Sequence, residues 1–344
     1  VKKLLTILKY ALLLAVSGLL MAYAIRGQDL SRISQTLREA NYGWLALTLV
    51  LSASGYASRA YRWKMQLDSA TTTARASYSE VYHAMMVGYL ANLVLPRMGE
   101  VIRCSVLRRT GGVPVEVSLG TVVAERIIDV VVLLALLGTT LLLDFNKFWT
   151  WVTDWLLNGR YDSLARNRNT LIIAAVIAAV LLAGAVFGLL RNLERLRQNA
   201  LFNRLVGFMR GMLAGVFSVL KMERKGVFLF HTFYTWLIYF LGSYLTFFAF
   251  PETSHLGLVA GIAVLTFGAF GMAAPVSGGI GTFHLLVQST LLVYGISKEG
   301  GIAYALVAHG AQTLLVVLMG GISFVATMVK AGRGSEVMVS EVAK

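Results

Sequence analysis

The stretch NLVLPRMGEVIR, residues 92–103, decides between two folds. As a turn joining two complete spans it makes the chain a plain string of membrane helices. As a break inside the bilayer it makes part of the chain an interrupted element. Pro96 removes a backbone donor and disfavours helix at Leu95, while Gly99 permits a sharp turn. Arg97, Glu100 and Arg103 place charge at the same point. Irregular backbone inside a membrane is tolerated only where protein buries it or a wet cavity runs beside it. A helix restarting after Pro96 aims free N–H groups and a positive dipole end at the break, an arrangement that suits a phosphate. The plainer alternative is a cytoplasmic turn whose arginines obey the positive-inside rule.

The rest of the chain supplies the bilayer. Of 344 residues 57% are hydrophobic and 14% charged, and the mean hydropathy is +0.70, outside the range of soluble domains. The runs LLTILKYALLLAVSGLLMAYAI (4–25) and LIIAAVIAAVLLAGAVFGLL (171–190) reach the roughly 20 residues that cross about 30 Å of hydrocarbon. Short alternating segments of a β-barrel are missing. The net charge of +14 does not imply nucleic acid, because the basic residues cluster between apolar runs, where topology and anionic headgroups account for them. A single cysteine, Cys104, excludes an intrachain disulfide and a cysteine-based metal site. Lys2 and Lys3, followed by an apolar run and Ala22-Tyr23-Ala24, imitate a signal peptide, but the run is longer than a signal core and reads as the first span.

Six segments read as full crossings, at about 4–25, 43–61, 119–143, 170–190, 226–250 and 302–329. Two more apolar regions are interrupted: 81–109 at Pro96 and Gly99, and 256–296 at Pro275 and SGGIG. The basic loop 191–225 belongs in the cytoplasm, and counting outward places both termini there too. Residues 144–169, with Trp149, Trp151 and Trp155, fall outside as an interfacial segment. Span, span, broken hairpin, span describes 4–143 and again 170–329, with 330–344 as a tail. Each unit crosses an odd number of times, so the second is inverted relative to the first, and the working site lies where the two breaks meet. The expected fold is therefore an all-α polytopic membrane protein, a single domain of two inverted repeats, each of three spans plus one broken or re-entrant hairpin.

The second break, APVSGGIGTFH (274–284), sets Gly278, Gly279 and Gly281 around Ser277. Such backbone lets a ligand approach closely, or else makes a tight loop or close helix packing. In AERIIDV (124–130), Glu125 and Asp129 share a helix face and Arg126 can pair with Asp129. Ionised groups inside a membrane face protein or water. The expectation is a polar cluster of Glu100, Arg103, Glu125 and Arg126 at the inner-leaflet mouth, with snorkelling to the interface as the alternative. RAYRWKMQL (59–67) reads first as headgroup anchoring by Arg59, Arg62 and Lys64, with substrate capture second. His83, His284 and His309 are scattered one per element, without metal-ligand spacing or an obvious carboxylate partner. His284 stands out because it follows the glycine break. Residues 198–222 read as a basic amphipathic helix on the inner leaflet.

NLVLPRMGEVIR, ERIIDV and PVSGGIGTFH together resemble the signature segments of the lysylphosphatidylglycerol synthase transmembrane-region family, which includes the flippase half of the bacterial multiple peptide resistance factor. The resemblance covers roughly 5–330. It implies a membrane domain that moves lipids such as aminoacylated phosphatidylglycerol between leaflets, with paired re-entrant elements near its centre. By position it carries over Asn92, Pro96, Gly99, Glu100, Arg103, Glu125, Arg126, Asp129, Pro275, Gly278, Gly279 and Gly281. The chain departs from the family by ending at Lys344 without a soluble aminoacyl-transferase domain, so lysyl-lipid synthesis is not expected. It also carries His284 where family members often carry glutamate, which leaves the headgroup open.

The expected function is a flippase-like lipid transporter of a bacterial cytoplasmic (inner) membrane. A phospholipid or polyprenyl-phosphate-type lipid would be held by Asn92, Pro96, Arg97, Gly99, Glu100, Arg103, Glu125, Arg126, Asp129, Ser277, Gly278, Gly279, Gly281 and His284. No catalytic residue, metal or cofactor is expected, and a homodimer is a candidate assembly. The rivals are a membrane enzyme acting on lipid phosphates or lipid-linked sugars, with Glu125 and Asp129 as its acid–base pair, and a non-transporting partner subunit of a lipid-modifying enzyme.

Overall fold

The computed structural model describes residues 15–71, 75–95, 97–150, 207, 210 and 222–342, with side chains through 330. Pro96, the expected span 170–190 and nearly all of 151–221 lie outside the described residues. Two compact units are present, Val1–Leu143 with Met212–Lys344, and Asp144–Gly211. In the second, 145–150 is helical, Lys147 pairs with Asp144 at 3.1 Å, and Phe145 stacks on Trp149 with ring centroids 5.6 Å apart.

The first unit is helical, and no strand occurs among the described residues. In chain order its helices are α1 (Ala15–Ile25), α2 (Leu30–Glu39), α3 (Tyr42–Ala70), α4 (Tyr78–Val94), α5 (Gly99–Gly111), α6 (Val115–Leu143), α7 (Lys225–Phe247), α8 (Leu258–Ala273), α9 (Thr282–Val293) and α10 (Lys298–Val342). Local chemistry sets several starts. Asp29 caps α2 through the Ser31 and Arg32 amides, and Asn41 caps α3 through the Gly43 amide. Ser77 and Glu80 form a reciprocal capping box on α4. The tail expected at 330–344 continues as helix in α10 to Val342.

Among the described residues, three helices have the length and composition to cross a membrane: α6, α7 and the first 33 residues of α10. At 29 residues α3 is long enough, about 44 Å, but Arg59, Arg62 and Gln66 dilute its apolar character. All three are buried, so the polar side of α3 faces protein.

The interrupted regions form two helical hairpins. Helices α4 and α5 have 17 and 13 residues, about 26 and 20 Å. Helices α8 and α9 have 16 and 12, about 24 and 18 Å. Each falls short of the roughly 30 Å of a bilayer core. Both hairpins close at a glycine. A Cβ on Gly88 would sit 2.7 Å from Gly99 O, and one on Gly271 would sit 2.6 Å from Phe283 Cα. One apolar core, including Phe247, Phe250, Leu291 and Tyr304, lies among α7 to α10. Another, including Trp63, Met85, Met86 and Leu107, lies among α3 to α6.

Candidate functional site

Helices α3 and α6 pack antiparallel along matched polar stripes. Arg59, Arg62 and Gln66 recur at helical spacing on α3, and Ser118, Thr121, Glu125 and Asp129 do so on α6. The rungs are Arg59 to Asp129 at 2.9 Å, Arg62 to Glu125 at 3.2 Å and Trp63 Nε1 donating to Thr121 Oγ1 at 2.9 Å.

Arginines from three helices converge on one carboxylate. Glu125 Oε1 lies 2.6 Å from Arg59, 3.2 Å from Arg62 and 3.3 Å from Arg126, while Oε2 accepts from Arg103 at 2.8 Å. Asp129 takes Arg59, Arg62 at 3.0 Å and Arg126 at 3.3 Å. Glu125 and Arg62 are 0% exposed, Arg103 2% and Arg59 6%, whereas the Arg126 side chain is 42% exposed. Aromatic faces complete the setting: the Arg103 guanidinium lies 4.4 Å from the Trp63 ring centre, and that of Arg59 lies 5.9 Å from Tyr89.

The charges do not balance. Four guanidiniums face two carboxylates, and even without the exposed Arg126 the buried part keeps one positive charge in excess. Among the described residues, six guanidinium nitrogens have no hydrogen-bond partner: Nε of Arg59, Arg62, Arg103 and Arg126, and Nη1 of Arg62 and Arg103. Both amide atoms of Gln66 and the Tyr89 hydroxyl are unpartnered as well. Buried donors without acceptors are costly, and a buried charge is costlier still. An anion would satisfy both deficits.

The first break lies one turn of α5 before Arg103. Met98 N–H donates to Leu95 O at 3.1 Å, Arg97 sits at φ 63°, and Asn92 Oδ1 accepts the Gly99 amide at 2.7 Å. The second break runs through a 3-10 turn, Ser277–Gly279, with Gly278, Gly279 and Gly281 all at positive φ. The two breaks touch, since a Cβ on Gly278 would sit 3.3 Å from Leu93 Cδ2 on α4. Helix α1 lies over the second break: Ser17 Oγ accepts the Ser277 amide at 3.2 Å, and Gly281 lies against Leu20. His284 Nδ1 accepts the Gly281 amide at 3.3 Å, and its ring centre is 4.9 Å from that of His309.

Of the expected site residues, Arg103, Glu125, Arg126 and Asp129 therefore meet in one cluster. Asn92, Arg97 and Gly99 form the first turn; Ser277, Gly278, Gly279, Gly281 and His284 form the second. Three expectations change. Glu100 forms no ion pair among the described residues, although on α5 it lies three residues before Arg103, whose guanidinium is taken by Glu125. Glu125 does not snorkel; it is buried among arginines. Arg59 and Arg62 are not headgroup anchors but members of the cluster, since the side of α3 that carries them faces α6. The two matched polar stripes inside otherwise apolar helices were the signal for that pairing. His284 and His309, scattered in sequence, are brought together by α9 packing on α10.

No curated protein and no solved structure matches the chain. A family model described as the lysylphosphatidylglycerol synthase TM region matches residues 10–320, which takes in both breaks and every arginine of the cluster. The chain is thus a membrane protein that belongs to the lysylphosphatidylglycerol synthase TM-region family.

Proposed function

We propose that the protein translocates a lipid across a bacterial cytoplasmic membrane by holding its anionic headgroup at the arginine cluster. The observation that carries this reading is the buried excess of guanidinium donors around Glu125. A phosphate accepts hydrogen bonds on several oxygens and compensates the charge, which a neutral headgroup cannot do. Glu125 and Asp129 keep the arginines folded and spaced when no lipid is bound. Gln66 and Tyr89 offer further partners for the polar part of the headgroup, while the acyl chains stay in lipid.

The remaining architecture is proposed on the same footing. The α4–α5 and α8–α9 hairpins are read as re-entrant elements of two inverted repeats, with both termini in the cytoplasm. Their similar lengths, glycine closures and mutual contact at Leu93 and Gly278 support this. The ligand class is a phospholipid or a polyprenyl-phosphate-type lipid.

The test uses proteoliposomes carrying a fluorescent anionic phospholipid, with leaflet exchange followed by an impermeant quencher. The double variant Arg62→Gln/Asp129→Asn removes one charge of each sign, so the cluster keeps its net charge. Gln66→Leu changes no charge. Both are expected to fold and to exchange labelled lipid at least about tenfold more slowly, the loss of roughly one charge-assisted hydrogen bond. Wild-type exchange by the folded double variant would sink the assignment.

A further inference from the structure

We propose that the His284–His309 pair is a proton-binding site, seated at His284 Nδ1, that governs the backbone of the second break. This goes beyond the headgroup reading and stands whichever lipid the arginines hold.

The geometry ties a titratable atom to strained backbone. Gly281 has φ 86°, and its amide donates to His284 Nδ1. His284 is 3% exposed and His309 7%. His309 interacts with the Gly278 backbone. Each imidazole thus contacts one of the left-handed glycines that make the break. The same turn contacts Leu93 at the end of α4, so a change there reaches the first break directly.

Histidine is the side chain that titrates near neutral pH. When water delivers a proton to His284 Nδ1, that atom turns from acceptor to donor, and two N–H groups then face each other. The Gly281 amide loses its partner and the break loosens. With the rings 4.9 Å apart, two imidazolium charges would repel, so the pair takes one proton and not two.

Few other charges enter this balance. Among the described residues the electrostatic neighbour of His284 is His309. Helix α8 carries no titratable side chain, and α1 contributes only Tyr23, which is exposed. On α10, Tyr304 is bonded to Ser243 O, and Lys298 and Glu299 sit at the helix start, about 16 Å from His309 along the axis. Packed on α10 from α4 are His83, bonded to Ser323, and Tyr89. From α3 come Tyr56, bonded to Gln312, and the arginines held by Glu125. The adjoining first break and α5 bring Arg97, Glu100 and Arg103, and α7 brings Tyr239, which accepts from Arg59. The ionic groups of α2, Arg32, Arg38 and Glu39, are exposed.

The experiment is hydrogen–deuterium exchange of the full chain in lipid nanodiscs, corrected for the intrinsic pH dependence of exchange. Peptides covering 277–286 are followed between about pH 5 and 8. Protection in the wild type should fall toward acid by up to about tenfold per pH unit, the limit for one proton. His284→Asn keeps an oxygen acceptor for Gly281 and cannot titrate, so its protection should stay flat. His309→Gln leaves the seat intact and should keep a response. A wild type with pH-independent protection at 277–286 overturns the proposal without recourse to any variant. So does a His284→Asn protein that retains the full response. Neither result bears on anion binding by the arginines, which leaflet exchange tests separately.

Discussion

Arg62 and Glu125, 63 residues apart in sequence, are both fully buried and lie 3.2 Å from each other. Their contact joins α3 to α6 at a level where Arg103 of α5 also reaches Glu125. One carboxylate therefore holds three helices through charge. A buried carboxylate among arginines is a poor source of stability in itself, but its removal is severe, because the buried cations left behind outnumber the one remaining carboxylate, Asp129.

Glu125→Gln should accordingly destabilise the protein by about 3–5 kcal/mol, since it leaves Arg103 with no carboxylate partner and Asp129 alone to compensate Arg59 and Arg62. Arg126→Ala removes a partner that is 42% exposed, and should cost less than about 1 kcal/mol. Thermal unfolding of purified variants in one detergent compares the two. Equal losses would mean that the cluster is solvated rather than buried.

Helix packing at the first hairpin gives a second contrast. A Cβ on Gly99 would collide with the backbone oxygen of Gly88, which cannot retreat, and with the Asn92 side chain. Gly99→Ala should lower stability by at least about 1–3 kcal/mol through overpacking. Gly138 on α6 has nothing within 4 Å, so Gly138→Ala should raise stability by up to about 1 kcal/mol through helix propensity alone. Unfolding midpoints measure both. A harmless Gly99→Ala would show that α4 and α5 are not in close backbone contact.

The breaks were legible in sequence because proline and clustered glycine act locally: Gly278, Gly279 and Gly281 adopt positive φ where the sequence placed a turn. Glu125 and Asp129 were legible as a pair because i,i+4 spacing fixes a shared face. The partnership with Arg59 and Arg62 was signalled only by the matched polar stripes, which do not fix which helix covers which, for a physical reason. Whether a basic residue near the end of an apolar run anchors in headgroups or turns inward depends on which neighbour covers its face, a property of tertiary packing. The same holds for His284 and His309, which share no element.

Acid should act on the start of α2. The Asp29 carboxyl is held below its ordinary range by the Ser31 hydroxyl first, then by the amides of Ser31 and Arg32. A carboxylate with a depressed folded pKa contributes stability above its unfolded value, about 4, and loses it as pH falls through the folded value. The Ser31 and Arg32 amides should therefore lose exchange protection below about pH 4. The Gly43 amide, capped by the non-titrating Asn41 side chain at 3.0 Å, should not. Asp29→Asn keeps an acceptor and should abolish the difference. Parallel loss at Gly43 would instead indicate general unfolding.

Arg97 separates stability from function most cleanly. It is an exposed arginine at φ 63°, a conformation that suits glycine. Left-handed backbone costs a side-chain-bearing residue roughly 1–2 kcal/mol, and glycine gives part of that back as unfolded-state entropy. Arg97→Gly should therefore raise stability by about 1 kcal/mol or less. If Arg97 is kept in that conformation to meet an incoming headgroup, the same substitution should slow leaflet exchange of the anionic lipid and weaken its dependence on salt. Arg97→Lys retains charge without the planar fork and should recover part of the rate. A glycine variant that is more stable and exchanges lipid at the wild-type rate would remove Arg97 from the site.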